Sequence, residues 1–310
     1  MSGPGDRSSP ASVTASPKAL RIRLIYNPRA ARRRQRRFAG VLKRLRDAGH
    51  NVEILTTEKA GDAGSHVRSA APGKVDLIAI AGGDGTMNDA LQGIGPTTPP
   101  IGLIPLGTAN VLAHELGIGT RPGRIVETLV SGRTQAIRPG EVAGHRFMMM
   151  AGVGLDAQVV ACVPRALKSR LGKSAYLLEV VRTLWRWRGA DLRLRVNGET
   201  IAAGTAIFCR GKRYGGRFML APHADLFSPS LQLVRFPQGR ALSVFLRFLM
   251  IPSGQIVRLG LAEERPVESL EILSPEGEPI QADGDIVAHA PANIRLCDQT
   301  VHFRVPSDRL

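Results

Sequence analysis

Apolar residues in the first half of the chain keep two alternating rhythms. Segments 21–26, 51–55, 75–80 and 101–104 are short apolar runs that read as strands, and segments 32–48, 62–70, 88–93 and 109–116 space their apolar residues as helices do. Strands joined by helices predict a parallel sheet covered on both faces, with ligands bound beyond the carboxyl ends of the strands. From about residue 141 the rhythm changes to shorter strands with turn signals. Asp191-Leu192-Arg193-Leu194-Arg195-Val196 alternates strictly and runs into Asn197-Gly198, a hairpin signal. Further strands are expected at 146–150, 205–209, 231–236, 270–273, 294–296 and 301–305, with helical stretches at 164–187 and 240–250. The second half is therefore expected to form a separate, mostly antiparallel domain.

The strand ends of the first half collect small, polar and glycine residues: Asn27-Pro28-Arg29, Thr56 to Asp62, Gly82 to Asn88, and Pro105-Leu106-Gly107-Thr108-Ala109-Asn110. In a parallel sheet these loops share one edge. The third, Gly82-Gly83-Asp84-Gly85-Thr86-Met87-Asn88, leaves a strand and opens a helix, so its backbone N–H groups and the helix dipole suit a phosphate. A carboxylate beside phosphate oxygens is repulsive unless a cation or a proton lies between them, so Asp84 points to metal-assisted phosphoryl chemistry. Thr57 and Thr108 offer hydroxyls, and Asn27 an amide, to a phosphate or ribose; each also suits a cap on its own helix or turn.

Charge widens the list of partners without choosing among them. The formal net charge is +16, much of it from Arg29, Arg32, Arg33, Arg34, Arg36 and Arg37. Nucleotide phosphates, anionic lipid headgroups and nucleic acid all satisfy such a surface, as does a solvated basic helix with no partner. At 43% hydrophobic and 22% charged the chain is of globular composition, which excludes collagenous and wholly disordered classes. Three dispersed cysteines, Cys162, Cys209 and Cys297, argue against a disulfide framework or a zinc site and suit a reducing compartment. Residues 1–19 read as a flexible tail lacking the apolar core of a signal peptide. The apolar run from Val244 to Ile251 is interrupted by Arg247 and stopped by Pro252, well short of the roughly 20 residues of a transmembrane helix, so none is expected.

Gly-Gly-Asp-Gly-Thr at 82–86 together with Pro-Leu-Gly-Thr-Ala-Asn at 105–110 resembles the diacylglycerol kinase and sphingoid kinase superfamily, especially its soluble bacterial lipid-kinase branch. Three further motifs fall in the family's order: Ala151-Gly152-Val153-Gly154-Leu155-Asp156-Ala157, Tyr214-Gly215-Gly216 with Leu220-Ala221-Pro222, and Gln281-Ala282-Asp283-Gly284-Asp285. Gly-Gly-Asp-Gly-Thr alone also occurs in NAD kinases. The resemblance implies an ATP-dependent kinase that phosphorylates the hydroxyl of diacylglycerol or a related lipid alcohol, such as ceramide or a sphingoid base. It implies an α/β fold, with a Rossmann-like, phosphofructokinase/NAD-kinase-like parallel-sheet domain followed by a mostly antiparallel β-sandwich and the nucleotide between them. On this division 20–137 is the nucleotide domain, with about 300–310 a candidate completion, and 138–299 is the lipid-substrate domain.

Carried over residue by residue, the resemblance makes Asn27, Thr57, Gly82, Gly83, Asp84, Gly85, Thr86, Met87, Asn88 and Thr108 the nucleotide contacts. Asp283 becomes the candidate general base, Asp156 an acid near the substrate headgroup, and Asp84 a ligand of Mg²⁺ arriving with ATP. Departures from the family pattern stand at Val111 and Arg138, where relatives carry acids, at Asp285 for a usual Glu, and at Arg29-Ala30 after Asn27-Pro28. Asp225 lacks the neighbouring acids that hold a structural Mg²⁺ in some relatives, so no metal is expected there. An NAD kinase, or an anionic-surface or nucleic-acid binder that has lost catalysis, are the alternatives.

A lipid kinase without a transmembrane segment must meet its substrate at a bilayer. Trp185-Arg186-Trp187-Arg188, the apolar residues around Phe245 to Met250 and the basic segment after Asn27 all suit a headgroup interface, although the first two equally suit core-facing helices. The expectation is a cytoplasmic enzyme, peripheral on the anionic inner face of the membrane, with no specific nucleic-acid partner.

Overall fold

The structure, a computed structural model, describes residues 19–162, 191–214, 216, 218–239, 243–244, 246–247 and 250–308. The expected tail, the expected helix at 164–187 with Trp185 to Arg188, and most of the expected 240–250 helix lie outside the described residues.

Among the described residues a six-stranded sheet runs in the order Asn51–Thr56, Arg21–Tyr26, Leu77–Gly82, Ile101–Pro105, Val301–Val305, Arg133–Ile137. The first five strands are parallel and the last is antiparallel to Val301–Val305. Leu77–Gly82 and Ile101–Pro105 are buried along their whole length, as central strands of a parallel sheet are when both faces are covered. Among the described residues the chain leaves this sheet after Ile137 and returns to it with Val301–Val305.

Between those points lie two further six-stranded sheets, again among the described residues. One runs Glu199–Ala203, Leu192–Val196, Ser269–Ser274, Ala292–Leu296, Gly140–Val142, His145–Phe147; the other runs Glu263–Val267, Leu231–Phe236, Thr205–Cys209, Met150–Gly154, Pro279–Ala282, Asp285–His289. The paired strands are antiparallel throughout. Leu192, Leu194 and Val196 from the first meet Val153, Phe208 and Leu233 from the second in one apolar core, which makes a β-sandwich. The strict alternation of 192–196 is what puts its leucines and valine on that core and its arginines in solvent. A second apolar cluster runs from Ile80 and Leu112 in the parallel-sheet domain to Met148, Met149, Ile207 and Val234 in the sandwich, so the halves share packing at their junction.

Three local departures from the sequence pattern bear on the site. The helix expected at 88–93 begins earlier, at Asp84, and runs Asp84–Leu91 with Gly83 as its N-cap. An acid in the first turn meets the positive end of the helix dipole. The helix expected at 32–48 is two helices, Pro28–Ala31 and Gln35–Asp47, because the Asn27 side chain caps the N–H groups of Arg29 and Ala30 and starts a turn early. The strand expected at 146–150 is broken into His145–Phe147 and Met150–Gly154. The N–H groups of Met148 and Met149 turn out of the ladder to meet Asp283.

Candidate active site

Two glycine-rich loops meet at backbone contact on the carboxyl edge of the parallel sheet. A Cβ on Gly83 would lie 2.9 Å from the Gly107 Cα, and one on Gly107 would lie 2.5 Å from the Gly83 Cα. The N–H groups of Leu106 and Gly107 both donate to the Gly82 carbonyl, at 2.8 and 3.2 Å. Only residues without side chains allow this crossing, which fixes the start of the Asp84–Leu91 helix against the neighbouring strand end. Asn27 ties in the first strand: its Nδ2 donates to Thr86 Oγ1 at 2.9 Å, while its Oδ1 takes the N–H groups of Arg29 and Ala30 at 3.0 and 3.2 Å. Arg34 and Arg37 from the basic segment donate to the carbonyls of Leu106 and Pro105. Two arginines of the cluster therefore buttress the loop crossing, while Arg32, Arg33 and Arg36 stay exposed.

The Gly83–Gly85 segment forms a wall between two cavities of contrasting chemistry. On one side a space of about 390 Å³ is lined by Asn27, Arg29, Thr57, Lys59, Gly83, Gly85, Thr86 and Asp89 among others. It bears two cations, Arg29 and Lys59, and two acids, Glu58 and Asp89, among polar and small residues. On the other side a space of about 460 Å³ is lined mainly by Met87, Val111, Leu112, Met148, Met149, Met150, Val159 and Val160, with Asp84, Asn88, Asp156, Tyr214, Gln281 and Asp283 as its polar members. The expected site residues thus divide. Asn27, Thr57, Gly83, Gly85 and Thr86 line the polar cavity, whereas Asp84, Met87, Asn88, Asp156 and Asp283 line the apolar one. Gly82 ends the strand beneath the loop, and Thr108 is exposed and lines neither cavity.

Three acids converge on the apolar cavity, each held differently. The Asp283 carboxylate accepts three backbone N–H groups, Met148 to Oδ2 at 2.7 Å and Met149 and Met150 to Oδ1 at 3.0 Å each. Burial nonetheless raises its pKa to about 6; the three N–H groups oppose that rise, and the negative charge of Asp84 adds to it. Burial also raises the pKa of Asp84, against the pull of backbone N–H groups at the start of the Val111–Glu115 helix, Leu112 N at 3.4 Å among them. Asp156, almost wholly buried, takes Tyr214 Oη on Oδ1 at 2.5 Å and Gln281 Nε2 on Oδ2 at 2.6 Å.

The departures noted in the sequence fall at different distances from this centre. Val111 lines the apolar cavity. Arg138 turns away, donating to the Cys297 carbonyl at 3.0 Å and lying 3.6 Å from Asp298. Asp285 opens the Asp285–His289 strand opposite Ala282. Asp225 accepts from Phe227 N at 3.0 Å in its own turn, and the loop that follows is gripped by the buried Arg210, which donates to the carbonyls of Leu226, Ser228 and Ser230.

Several participants escaped the sequence reading. Arg29 and Lys59 line the cavity with Asn27 and Thr57, whereas the resemblance names only those neighbours as contacts. Gln281 and Tyr214 belong to the motifs, but their bonds to Asp156, like those of the Met148 to Met150 N–H groups to Asp283, depend on strands far apart in the chain. Glu115 was invisible for the same reason: it accepts Lys212 N at 3.0 Å and pairs with Arg213 at 3.4 Å, anchoring the Arg213–Tyr214 strand to the parallel-sheet domain.

Comparison with known proteins follows the same division. Residues 21–142 match the diacylglycerol kinase catalytic domain, and residues 149–304 match the YegS C-terminal NAD kinase beta sandwich-like domain. A diacylglycerol kinase of Bacillus subtilis (strain 168) is 34% identical over 233 residues, covering 73% of this chain and 77% of that protein. One from Staphylococcus carnosus (strain TM300) is 26% identical over 293 residues, covering 93% and 96%. Among solved structures, a diacylglycerol kinase of Bacillus anthracis str. Sterne superposes with a TM-score of 0.69 at 18% identity, covering 93% of this chain and 97% of that one. A second structure from that organism, provisionally assigned the same activity, gives 0.79 at 22% identity over 95% and 98%.

Proposed function

The chain belongs to the diacylglycerol kinase family and is a kinase, and from that premise we propose that it transfers the γ-phosphoryl group of ATP to the hydroxyl of a lipid alcohol, diacylglycerol or a relative such as ceramide or a sphingoid base. The observation that carries this reading is the wall at Gly83–Gly85, with a cavity lined by Arg29, Lys59 and polar side chains on one side and an apolar cavity containing a raised-pKa carboxylate on the other. ATP suits the first, where Arg29, Lys59 and backbone N–H groups meet phosphate oxygens. Acyl or alkyl carbon suits the second; a dinucleotide acceptor, polar throughout, does not.

In the proposed reaction the lipid oxygen bonds to the γ-phosphorus, the bond from that phosphorus to the β–γ bridging oxygen breaks, and ADP leaves. The hydroxyl proton passes to Asp283. Three N–H donors leave one acceptor position open on a carboxylate that offers about four, and the free one is on Oδ2. A base with a pKa near 6 is largely ionised at neutral pH yet accepts a proton more readily than an ordinary aspartate. Asp84, on the loop between the cavities, would hold Mg²⁺ carried in by the nucleotide. Among the described residues no three His, Cys, Asp or Glu side chains converge into a protein-only cage, and one carboxylate plus phosphates is a donor set that suits Mg²⁺. When bound, the cation would neutralise charge on the phosphoryl oxygens.

The acceptor comes from a bilayer in this reading. Among the described residues no helix is long and apolar enough to cross a membrane. Phe218 and Met219, 44% and 38% exposed, sit on the short strand paired with Arg213–Tyr214, and Phe218 lies directly opposite the cavity residue Tyr214. Met250, Arg258 and Leu259 are also exposed and add apolar and cationic groups suited to a headgroup interface. Incubation with labelled Mg-ATP and a panel of diacylglycerol, ceramide and sphingoid base tests the proposal. Labelled phosphate in a lipid product is expected; label in none of them would contradict it.

A further inference from the structure

Gln281 sits two residues before Asp283 on the Pro279–Ala282 strand, almost wholly buried, and both ends of its amide are engaged. Nε2 donates to Asp156 Oδ2 at 2.6 Å, and Oε1 accepts from Gly284 N at 2.9 Å. Opposite Gln281 in the strand register is Gly152, where a Cβ would lie 1.9 Å from Asp156 Oδ2 and 3.0 Å from Gln281 Nε2. The link between the acid and the amide runs through space that only glycine leaves open.

An amide has a donor end and an acceptor end, and its neighbours decide which way it points. A carboxylate only accepts, so Asp156 draws the NH₂ group toward itself and leaves the carbonyl facing Gly284. Flipped, the amide would set oxygen against carboxylate and N–H against N–H. The group it then faces belongs to a left-handed pair, Asp283 at φ 47° and Gly284 at φ 89°. That conformation is disfavoured at a non-glycine position, so the Asp283 backbone needs support to hold it. The bond from Gly284 N to Gln281 Oε1 closes the turn from inside, and the same turn aims the Asp283 carboxylate at the N–H groups of Met148 to Met150.

We propose that Gln281 is a positioning residue: Asp156 sets the orientation of its amide, and the amide holds the Asp283-Gly284 turn that presents the base. This rests on the reading of Asp283 as base and extends it, because Asp156 then acts on the chemical step through Gln281 in addition to any contact with the acceptor headgroup.

The test uses the full chain, with kcat and lipid KM measured on the best acceptor of the panel and hydrogen exchange measured at the Gly284 amide. In Gln281→Leu the Gly284 amide should lose protection and kcat should fall about tenfold or more, as misplaced catalytic groups do, with KM little changed. Gln281→Glu keeps an acceptor for Gly284 but sets two carboxylates together, so kcat should also fall. Adding Asp156→Asn to Gln281→Glu restores the donor and acceptor pattern in reverse, and should recover protection and kcat above the level of Gln281→Glu alone. Unchanged kcat and protection in Gln281→Leu would overturn the proposal, as would a double variant no better than Gln281→Glu. Should Gln281→Leu not fold, the Glu pair decides. Should the wild-type protein phosphorylate no lipid, the reading of the base fails separately, and Gly284 exchange still shows whether Gln281 holds the turn.

Discussion

The side-chain amide of Gln92 exchanges two hydrogen bonds with the backbone of Arg146, donating from Nε2 to the carbonyl at 2.9 Å and accepting at Oε1 from the N–H at 3.1 Å. Gln92 closes the helix that begins at Asp84, and Arg146 lies in the strand that leads to Met148, Met149 and Met150, whose N–H groups grip Asp283. The Arg146 guanidinium returns the contact by donating to the Ile94 carbonyl at 2.7 Å and to Gln299 Oε1 at 2.9 Å. A short run of structure thus connects the two acids across the junction of the domains.

Gln92→Ala removes both partners from the Arg146 backbone. Part-buried groups left unpaired cost about 1–3 kcal/mol, so urea unfolding should show a lower midpoint. The same variant should lower kcat more than it raises the KM for ATP, because the nucleotide cavity is built from other residues. Wild-type stability in Gln92→Ala would show that the pair contributes little.

Asp283 ties activity and stability to pH with opposite signs. The base must be ionised, so kcat/KM should rise through about pH 6 and level off above it. Its folded pKa of about 6 exceeds the ordinary 3.8, so the folded state holds that proton more tightly than the unfolded chain does. Its contribution to stability is therefore fully present below 3.8 and lost as pH rises through about 6, on the order of 2–3 kcal/mol in all. Asp283→Asn should cut kcat by roughly 10²–10⁴ and flatten this part of the stability profile. Parallel wild-type and variant stability curves between pH 4 and 7 would contradict the assignment.

The crossing of the two glycine loops leaves no room for a methyl group. Gly107→Ala would place a Cβ 2.5 Å from the Gly83 Cα. Overpacking of this kind costs typically 1–3 kcal/mol, and here it also displaces the loop that lines the nucleotide cavity. Isothermal titration should show weakened ATP binding by Gly107→Ala, whereas Gly123→Ala, where nothing lies within 4 Å of the new carbon, should bind as wild type does. Equal affinities would show that the crossing does not shape the nucleotide site.

On the proposed bilayer reading, the strand bearing Phe218 and Met219 makes the membrane contact. Replacing both by serine should reduce sedimentation with vesicles rich in anionic lipid while leaving activity on detergent-dispersed substrate within about twofold, since single surface changes rarely disturb the fold. Unchanged sedimentation would move the contact elsewhere on the chain.

Much of this was legible in the sequence wherever the cause is local. The apolar runs at 205–209, 231–236 and 301–305 are strands with those bounds, because β-rich segments flanked by turn residues leave few alternatives. The glycines of 82–85 read as a phosphate-binding loop, whereas the contact between Gly83 and Gly107 shows only in the fold. Asn27 looked equally like a ligand and a cap, and the structure has it capping Arg29 and Ala30 while it reaches Thr86. What the sequence hid depends on register between distant strands. Nothing near Met148 indicates that its N–H will serve a carboxylate 135 residues away, so an unbroken strand was the natural expectation for 146–150. Gln281 belongs to the motif around Asp283, but its link to Asp156 shows only when Gly152 is set opposite it. The local pattern gives Val301–Val305 only as a strand; its place in the first sheet, after a whole β-sandwich, is a matter of topology for which only the family resemblance pointed to residues about 300–310.

In the proposed reaction the apolar cavity presents a lipid hydroxyl to Asp283 while ATP occupies the other side of the Gly83–Gly85 wall. Mass spectrometry of a total lipid extract after incubation with the protein and Mg-ATP tests it without a chosen substrate. A lipid species heavier by one phosphoryl group is expected, formed by the wild-type protein and almost absent with Asp283→Asn. A wild-type reaction that consumes ATP but leaves every lipid mass unchanged, or an Asp283→Asn reaction as fast as wild type, would contradict it.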